Sequence, residues 1–395
     1  MKIAQFISSL LTPLGGAEQY CLELSRWLHD AGHDITIITG WISPDVAATL
    51  SAQGIAVRLV HSARPYPPDR KGSRPAAAMF HALDLLGSIW TPRAVRAVLA
   101  DDWDVVHVHR VAGFGSALLN GPRPTVLTVH DYSLVDTSTT LLRDGVEVSA
   151  PWIQRQRTKV INRSLRRARL VFPSARLREK HVAWGLELPE RTEVLPHGWR
   201  IAGSGEAVPA DRDANPVVFL FLGKLIPEKG VRLLLEAWGD GLPGAELWMA
   251  GAGVLEPEVS AAVAAGRLHG LGWLDEAGRR AALAAASVLL LPSVWPENFP
   301  LSAAEGVLAG LPVLSTTIAS PPVLVDGVNG LLVNPDAASL RSAMQRLLDP
   351  ALRSTLAEGA REVARDLDFD AHGARLLALY DELASVEPDR AEVTS

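Results

Sequence analysis

Hydrophobic positions along the chain follow two alternating patterns. Short apolar runs at Lys2–Ile7, Asp34–Thr39, Ala56–Val60, Val105–His109, Thr125–His130, Leu170–Pro173 and Glu193–Leu195 predict strands in the first half. Helical spacing fills most of the intervals; Tyr20, Cys21, Leu24, Leu28 and Ala31 form one such stripe, which Gly32 ends. The second half repeats the alternation, with strands at Val217–Leu222, Leu247–Ala250, Val288–Leu291, Val313–Thr316 and Leu331–Val333, and a strand and turn within Leu268–Leu274. Three helical stretches close the chain, at about 337–348, 351–366 and 371–385. Strands and helices alternating at this length predict an α/β protein of two facing, doubly wound (Rossmann-like) parallel-sheet domains. They are expected at 1–200 and 216–366, joined by a Gly/Ala/Asp-rich linker at 201–215, with a frayed tail at 387–395.

The most informative stretch is Ser287–Thr316, read as strand, loop, helix, strand. Val288–Leu291 is apolar without a break, as a strand buried on both faces is. Prolines keep Pro292–Pro300 in a loop, and Pro300 suits the first turn of a helix that Gly310 ends. In an open parallel sheet, ligands bind beyond the carboxyl ends of the strands. The helix N-terminus there offers N–H groups from about Leu301 and Ser302, which attract an anion such as phosphate. Glu297 and Glu305 flank the spot; carboxylates repel phosphate but accept hydrogen bonds from sugar hydroxyls. Hydroxyls on both sides of a diphosphate describe a nucleotide sugar.

With Phe299, Pro300, Leu301, Ala309-Gly310, Pro312 and Val313 in register, Glu297 and Glu305 resemble the Glu-x7-Glu segment of the retaining glycosyltransferases of family 4, which have the GT-B fold. The resemblance implies that Glu297 contacts the donor sugar and Glu305 the ribose. Gly15-Gly16 matches the family's glycine turn, where backbone approaches the donor diphosphate. His130, in Thr128-Val129-His130-Asp131, matches the histidine beside the transferred sugar. Gly223–Gly230 matches a segment that binds diphosphate; Lys229 agrees in place and identity, and Lys224 replaces an arginine. Pro196–Arg200 departs from the family pattern at His197, Trp199 and Arg200. Leu268–Leu274 matches a turn whose backbone contacts the base, and Pro322 stands where a glutamate is common. In this fold the last helix, here 367–386, crosses back to the first domain.

Composition narrows the alternatives. The chain is 48% hydrophobic and 21% charged, as soluble enzymes are, and has no apolar run long enough to span a bilayer. Met1–Leu10 lacks the features of a secretory signal. The single cysteine, Cys21, falls on an apolar helix face and fits a reducing cytoplasm. The first strand is not followed by G-x-G-x-x-G and the second does not end on an acid, which argues against a dinucleotide cofactor. No Cys/His cluster has metal spacing, and Asp102-Trp103-Asp104 precedes a strand, at the wrong end of the sheet for a site. No metal, no cofactor beyond the nucleotide-sugar co-substrate and no nucleic-acid partner is therefore expected.

Residues 1–200 hold 24 Lys and Arg against 18 Asp and Glu, a net charge of +6, whereas the remainder carries −12. The basic excess concentrates in Gln154–Lys180 and Arg64–Arg74. The irregular stretches Ser62–Pro75 and Ser133–Pro151 are acceptor-loop candidates. The function expected is retaining, metal-independent transfer of a sugar from a nucleotide-diphosphate donor to a hydroxyl or amine, with His130, Glu297 and Lys229 at the reacting centre. A small soluble acceptor is preferred, because the arginines of 154–180 surround their helix. A lipid-linked or polysaccharide acceptor at the inner membrane surface, a nucleotide-sugar epimerase or hydrolase on the same fold, and a silent binding protein are the alternatives.

Overall fold

The computed structural model describes residues 1–61, 64–68, 72–143, 146–200 and 216–385. The expected linker and tail lie outside these residues. The chain divides into two compact units: Met1–Leu141 with Val148–Pro196 and the residues from Asp370 onward, and His197–Phe369 with Leu142–Glu147.

The first unit is built on Lys2–Phe6 (β1), Asp34–Thr39 (β2), Ala56–Leu59 (β3), Val105–Val108 (β4), Thr125–Thr128 (β5), Arg169–Phe172 (β6) and Thr192–Val194 (β7). Among the described residues these strands form one parallel sheet in the order β7-β6-β5-β4-β1-β2-β3. Ile3 lies opposite both Ile35 and Val105, so apolar rows run across the strands. The central strands β4 and β5 are buried throughout, whereas the edge strand β3 is largely exposed. The order reverses between β1 and β4, which opens a crevice at their carboxyl ends.

The second unit repeats this plan with Val217–Leu222 (β8), Ala245–Ala250 (β9), His269–Gly272 (β10), Val288–Leu291 (β11), Val313–Thr316 (β12) and Gly330–Val333 (β13), in the order β10-β9-β8-β11-β12-β13. All of β8, Val-Val-Phe-Leu-Phe-Leu, is buried, as a strand covered by helices on both faces must be. Here the order reverses between β8 and β11.

The last helix, Phe369–Ser385, starts two residues before its expected position and packs within the first unit. There the Tyr380 hydroxyl meets His107 Nδ1 at 2.5 Å, His372 Nε2 meets the Tyr20 hydroxyl at 2.6 Å, and Trp27 Nε1–H donates to Asp370 at 2.7 Å. Cys21 lies buried in the same core, where burial pushes its thiol far above the usual range.

Some expectations need correction. Arg74 and Pro75 belong to no loop; they open the helix Arg74–Gly87, where a proline in the first turn is tolerated. Arg64 pairs with Asp84 at 2.9 Å, so its charge is neutralised within the fold. The stretch Ser133–Pro151 contains regular structure: a 3₁₀ turn at Tyr132–Leu134 runs into it, and Leu142–Arg143 and Val146–Glu147 form a strand pair. Asp104 accepts the Lys2 N–H at 2.7 Å and Asp102 pairs with Arg123, so both aspartates serve strand entrances.

Candidate active site

The candidate residues gather at the two switch points, one in each unit. In the second unit, β8 runs into Gly223–Gly230 and β11 into the loop that leads to the helix Leu301–Leu308. Pro300 is the residue before this helix, one place earlier than expected, and no side chain caps the helix. The N–H groups of Ala303 and Ala304 turn back to the Pro300 carbonyl, leaving those of Leu301 and Ser302 as the outward donors. A backbone bond, from Val294 N–H to the Glu228 carbonyl at 2.9 Å, ties the two loops together. Gly230 permits this approach. Its φ is +70°, and a Cβ there would stand 1.8 Å from the Pro292 carbonyl oxygen. Gly251 serves the neighbouring turn similarly, where a Cβ would meet the Gly223 carbonyl oxygen at 1.8 Å.

Lys229 and Glu297 therefore meet. Lys229 Nζ donates to Glu297 Oε1 at 2.7 Å, and the Ser293 hydroxyl donates to the same oxygen at 2.6 Å. Glu297 is buried, and the ammonium of Lys229 also lies 5.4 Å from the centre of the Trp295 ring. Lys224 is exposed and, among the described residues, has no ion-pair partner. Phe299 is packed edge-on by His197, with ring centres 5.0 Å apart. Glu305 is buried and pairs with Arg279 at 3.3 Å. Burial pushes its carboxyl above the usual range, against the opposing pull of Arg279 and the Trp199 indole. Sequence reasoning missed Arg279, which stands in an ordinary-looking helix. The departures at Pro196–Arg200 have structural roles: besides the contact of His197, Trp199 N–H donates to Leu367 O at 2.8 Å and Arg200 stacks over Phe369.

In the first unit, β1 leads to Gly15-Gly16, and Gly16 opens the helix Gly16–Asp30. A side chain at Gly15 would collide with Glu18, whose carboxylate lies 2.5 Å from the position of a Cβ. Glu18 is buried and pairs with Arg110 at 3.1 Å; Arg110 also reaches Asp131 at 3.2 Å. Arg110 follows β4, so one guanidinium links the glycine turn to the histidine-aspartate step after β5. The only sequence signal for it was its position just past a strand's carboxyl end. Burial opposes ionisation of Asp131, but Arg110 and the Ser133 N–H outweigh it and hold the carboxyl below the usual range.

His130 is held by a second histidine. Its Nε2 lies 3.1 Å from His109 Nδ1, and His109 Nε2 lies 2.6 Å from Gln5 Oε1. An amide oxygen only accepts, so His109 donates from Nε2 and receives the His130 proton at Nδ1. That makes Nδ1 the unprotonated nitrogen of His130. Burial, with Arg110 and His372 adding to it against Asp131, lowers its pKa to about 3 and keeps the ring neutral. A neutral ring with an acceptor nitrogen can take a hydrogen bond from a hydroxyl.

Two family models match the chain: Glycosyltransferase Family 4 over residues 14–201, and Glycosyl transferases group 1 over residues 216–350. The chain belongs to glycosyltransferase family 4. It is 27% identical to a phosphatidyl-myo-inositol mannosyltransferase of Mycolicibacterium smegmatis, covering 93% of this chain and 90% of the relative. It is 29% identical to a D-inositol 3-phosphate glycosyltransferase of Kribbella flavida, again over 93% of this chain and 90% of the relative. Among solved structures, HepE of Anabaena in complex with UDP aligns with a TM-score of 0.71 at 18% identity, covering 97% of this chain and 100% of that one. A sucrose-phosphate synthase of Thermosynechococcus elongatus also gives 0.71, at 20% identity, over 97% and 98% of the two chains. The family 4 glycosyltransferase described here thus has the GT-B fold, with two parallel-sheet domains.

Proposed function

We propose that this protein transfers a sugar, with retention of anomeric configuration, from a nucleoside-diphosphate sugar to a hydroxyl of an inositol-bearing acceptor. The observation that carries the reading is the Lys229–Glu297–Ser293 cluster beside the open N-terminus of the helix Leu301–Leu308. A cation, outward N–H groups and an oriented carboxylate are what a diphosphate joined to a sugar requires. Inositol enters because the relatives named above carry it in their names, once as a phosphatidyl lipid and once as a phosphate.

In the proposed reaction the bond from the anomeric carbon to the diphosphate oxygen breaks, and a bond to the acceptor oxygen forms on the same face. The acceptor proton goes to the departing phosphate oxygen. Lys224, Lys229 and the N–H groups of Leu301 and Ser302 stabilise the charge that develops on the leaving diphosphate, without a divalent metal. Gly15 and Gly16 let backbone come close to that diphosphate. Glu297 accepts from the transferred sugar, neutral His130 accepts from one of its hydroxyls, Phe299 borders the donor and Glu305 accepts from the ribose. Such a donor and a lone, buried thiol fit a cytoplasmic enzyme.

Screening nucleotide sugars for thermal stabilisation identifies the donor, since a ligand at a hundred times its Kd adds about 2.7 kcal/mol. The donor is then incubated with inositol phosphate and with phosphatidylinositol, with and without EDTA, and the product's anomeric configuration is read by NMR. Transfer that survives EDTA and preserves the configuration is expected. Glu305→Ala should weaken nucleoside diphosphate binding, whereas Glu297→Ala and His130→Ala should lose turnover more than that affinity. Donor hydrolysis without transfer to either acceptor, an inverted product, or activity restored only by magnesium or manganese would overturn the corresponding part of the reading.

A further inference from the structure

The helix Arg74–Gly87 faces the wrong way for a water-soluble surface. Among its residues only Phe80 and Gly87 are buried. Ala78, Met79, Ala82, Leu85 and Leu86 are exposed, at the spacing of one helical face, and Ile89 and Trp90 extend the stripe beyond the helix end. Asp84 is the one acid in this helix, and it is turned inward to Arg64 and the Gly113 N–H.

The helix Trp152–Leu165 reaches the end of this stripe. Its Ser164 hydroxyl donates to the Ser88 carbonyl at 3.0 Å, and both helices pack on the 3₁₀ turn Ser116–Asn120. The basic residues of this segment are sorted rather than scattered. Arg157 turns inward to the carbonyls of Ser133 and Leu134, and Arg169 pairs with Glu193 and Glu382. Arg155, Lys159, Arg163 and Arg166 remain exposed at helical spacing, below the exposed Trp152 and Ile153. Ile89 and Trp90 are each 70% exposed, Trp152 75% and Ile153 68%. No acidic residue occurs between Trp152 and Arg178.

We infer that this surface of the first unit docks on an anionic lipid bilayer, the apolar side chains entering below the headgroups and the basic row meeting their phosphates. The inference rests on the proposed inositol acceptor and narrows it to the lipid-borne form, because such docking brings the enzyme to acceptors held in the membrane. No described helix is long and apolar enough to cross a membrane, so the association is peripheral. Charge decides the occupant. A second copy docked through the same surface would set the basic row against another basic row, whereas an anionic bilayer complements it. In the sequence, Ile153, Val160, Ile161 and Leu165 make only a thin apolar stripe among the arginines of 154–180. The apolar face of Arg74–Trp90 looks in the sequence like an ordinary core stripe until its burial is known.

The test is flotation of the full-length protein with phosphatidylcholine vesicles, with and without phosphatidylglycerol, at physiological salt. Binding to the anionic vesicles alone is expected. Ile89→Glu with Trp90→Glu should abolish it, and Lys159→Glu, Arg163→Glu and Arg166→Glu together should lower partitioning at least about a hundredfold, given roughly fivefold per basic residue at such a surface. Unchanged thermal stabilisation by the nucleoside diphosphate shows that each variant is folded, and unchanged transfer to soluble inositol phosphate shows that docking alone was lost. Vesicle binding that is absent, indifferent to lipid charge, or unaffected by these variants would overturn the inference. So would a dimer by light scattering that Ile89→Glu with Trp90→Glu dissociates. If the wild type binds vesicles but transfers no sugar to any inositol acceptor, the proposed function fails while the docking surface stands.

Discussion

Replacing Lys229 by methionine tests how the second unit holds Glu297. The wild-type contact is 2.7 Å between Nζ and Oε1, which at an effective dielectric constant near 20 is a gross attraction of about 6 kcal/mol. Most of that is offset by desolvation of the two charges, but removing one partner leaves the other buried and unpaired, a loss of about 3–5 kcal/mol for a fully enclosed pair. The Lys229 side chain is 20% exposed and that of Glu297 only 3%, and Ser293 still donates to the carboxylate, so water and the serine recover part of the loss. The expected destabilisation is about 2–3 kcal/mol, or roughly 5–10 °C in the melting transition of a unit of this size. Lys229→Met with Glu297→Gln should lie much closer to the wild type than the single variant, because no buried charge is left stranded. The assay is a double-mutant cycle by urea unfolding, following the transition that nucleoside diphosphate shifts. A coupling energy below about 0.5 kcal/mol, or Lys229→Met as stable as the wild type, would refute the reasoning.

Two further outcomes follow from the geometry. His107, His130, His181 and His372 are all held neutral by burial, with pKa values lowered to about 3 for His130 and about 4 for His181 and His372. An unfolded chain takes up protons on these rings below about pH 6.5 while the folded one does not, so the first unit should lose stability progressively as pH falls from 6.5 to 4; a melting temperature that is flat over that range refutes this. Gly230→Ala should destabilise the second unit by several kcal/mol and cut soluble expression, since its Cβ would collide with the Pro292 carbonyl oxygen at a positive φ; normal yield and donor affinity would show that the two loops can part without loss.

The sequence alone determined the elements that local pattern encodes. Continuous apolar runs such as Val217–Leu222 and Val288–Leu291 identify strands covered on both faces, and a residue's place just past such a strand puts it at a sheet's working edge. That is why Glu297, Lys229, His130 and the Gly15-Gly16 turn were legible: each follows a strand that can be read without its neighbours. Only the tertiary structure decided which charges meet. Arg110 binds Glu18 and Asp131, and Arg279 binds Glu305, yet nothing in their local sequence separates either from a surface arginine. The pairing of His109 with His130 depends on β4 lying beside β5 and is equally invisible in one dimension. The outward apolar face of Arg74–Trp90 escaped for the same reason. Hydrophobic periodicity shows that a helix has an apolar side, but the direction in which that side points is set by the elements packed against it.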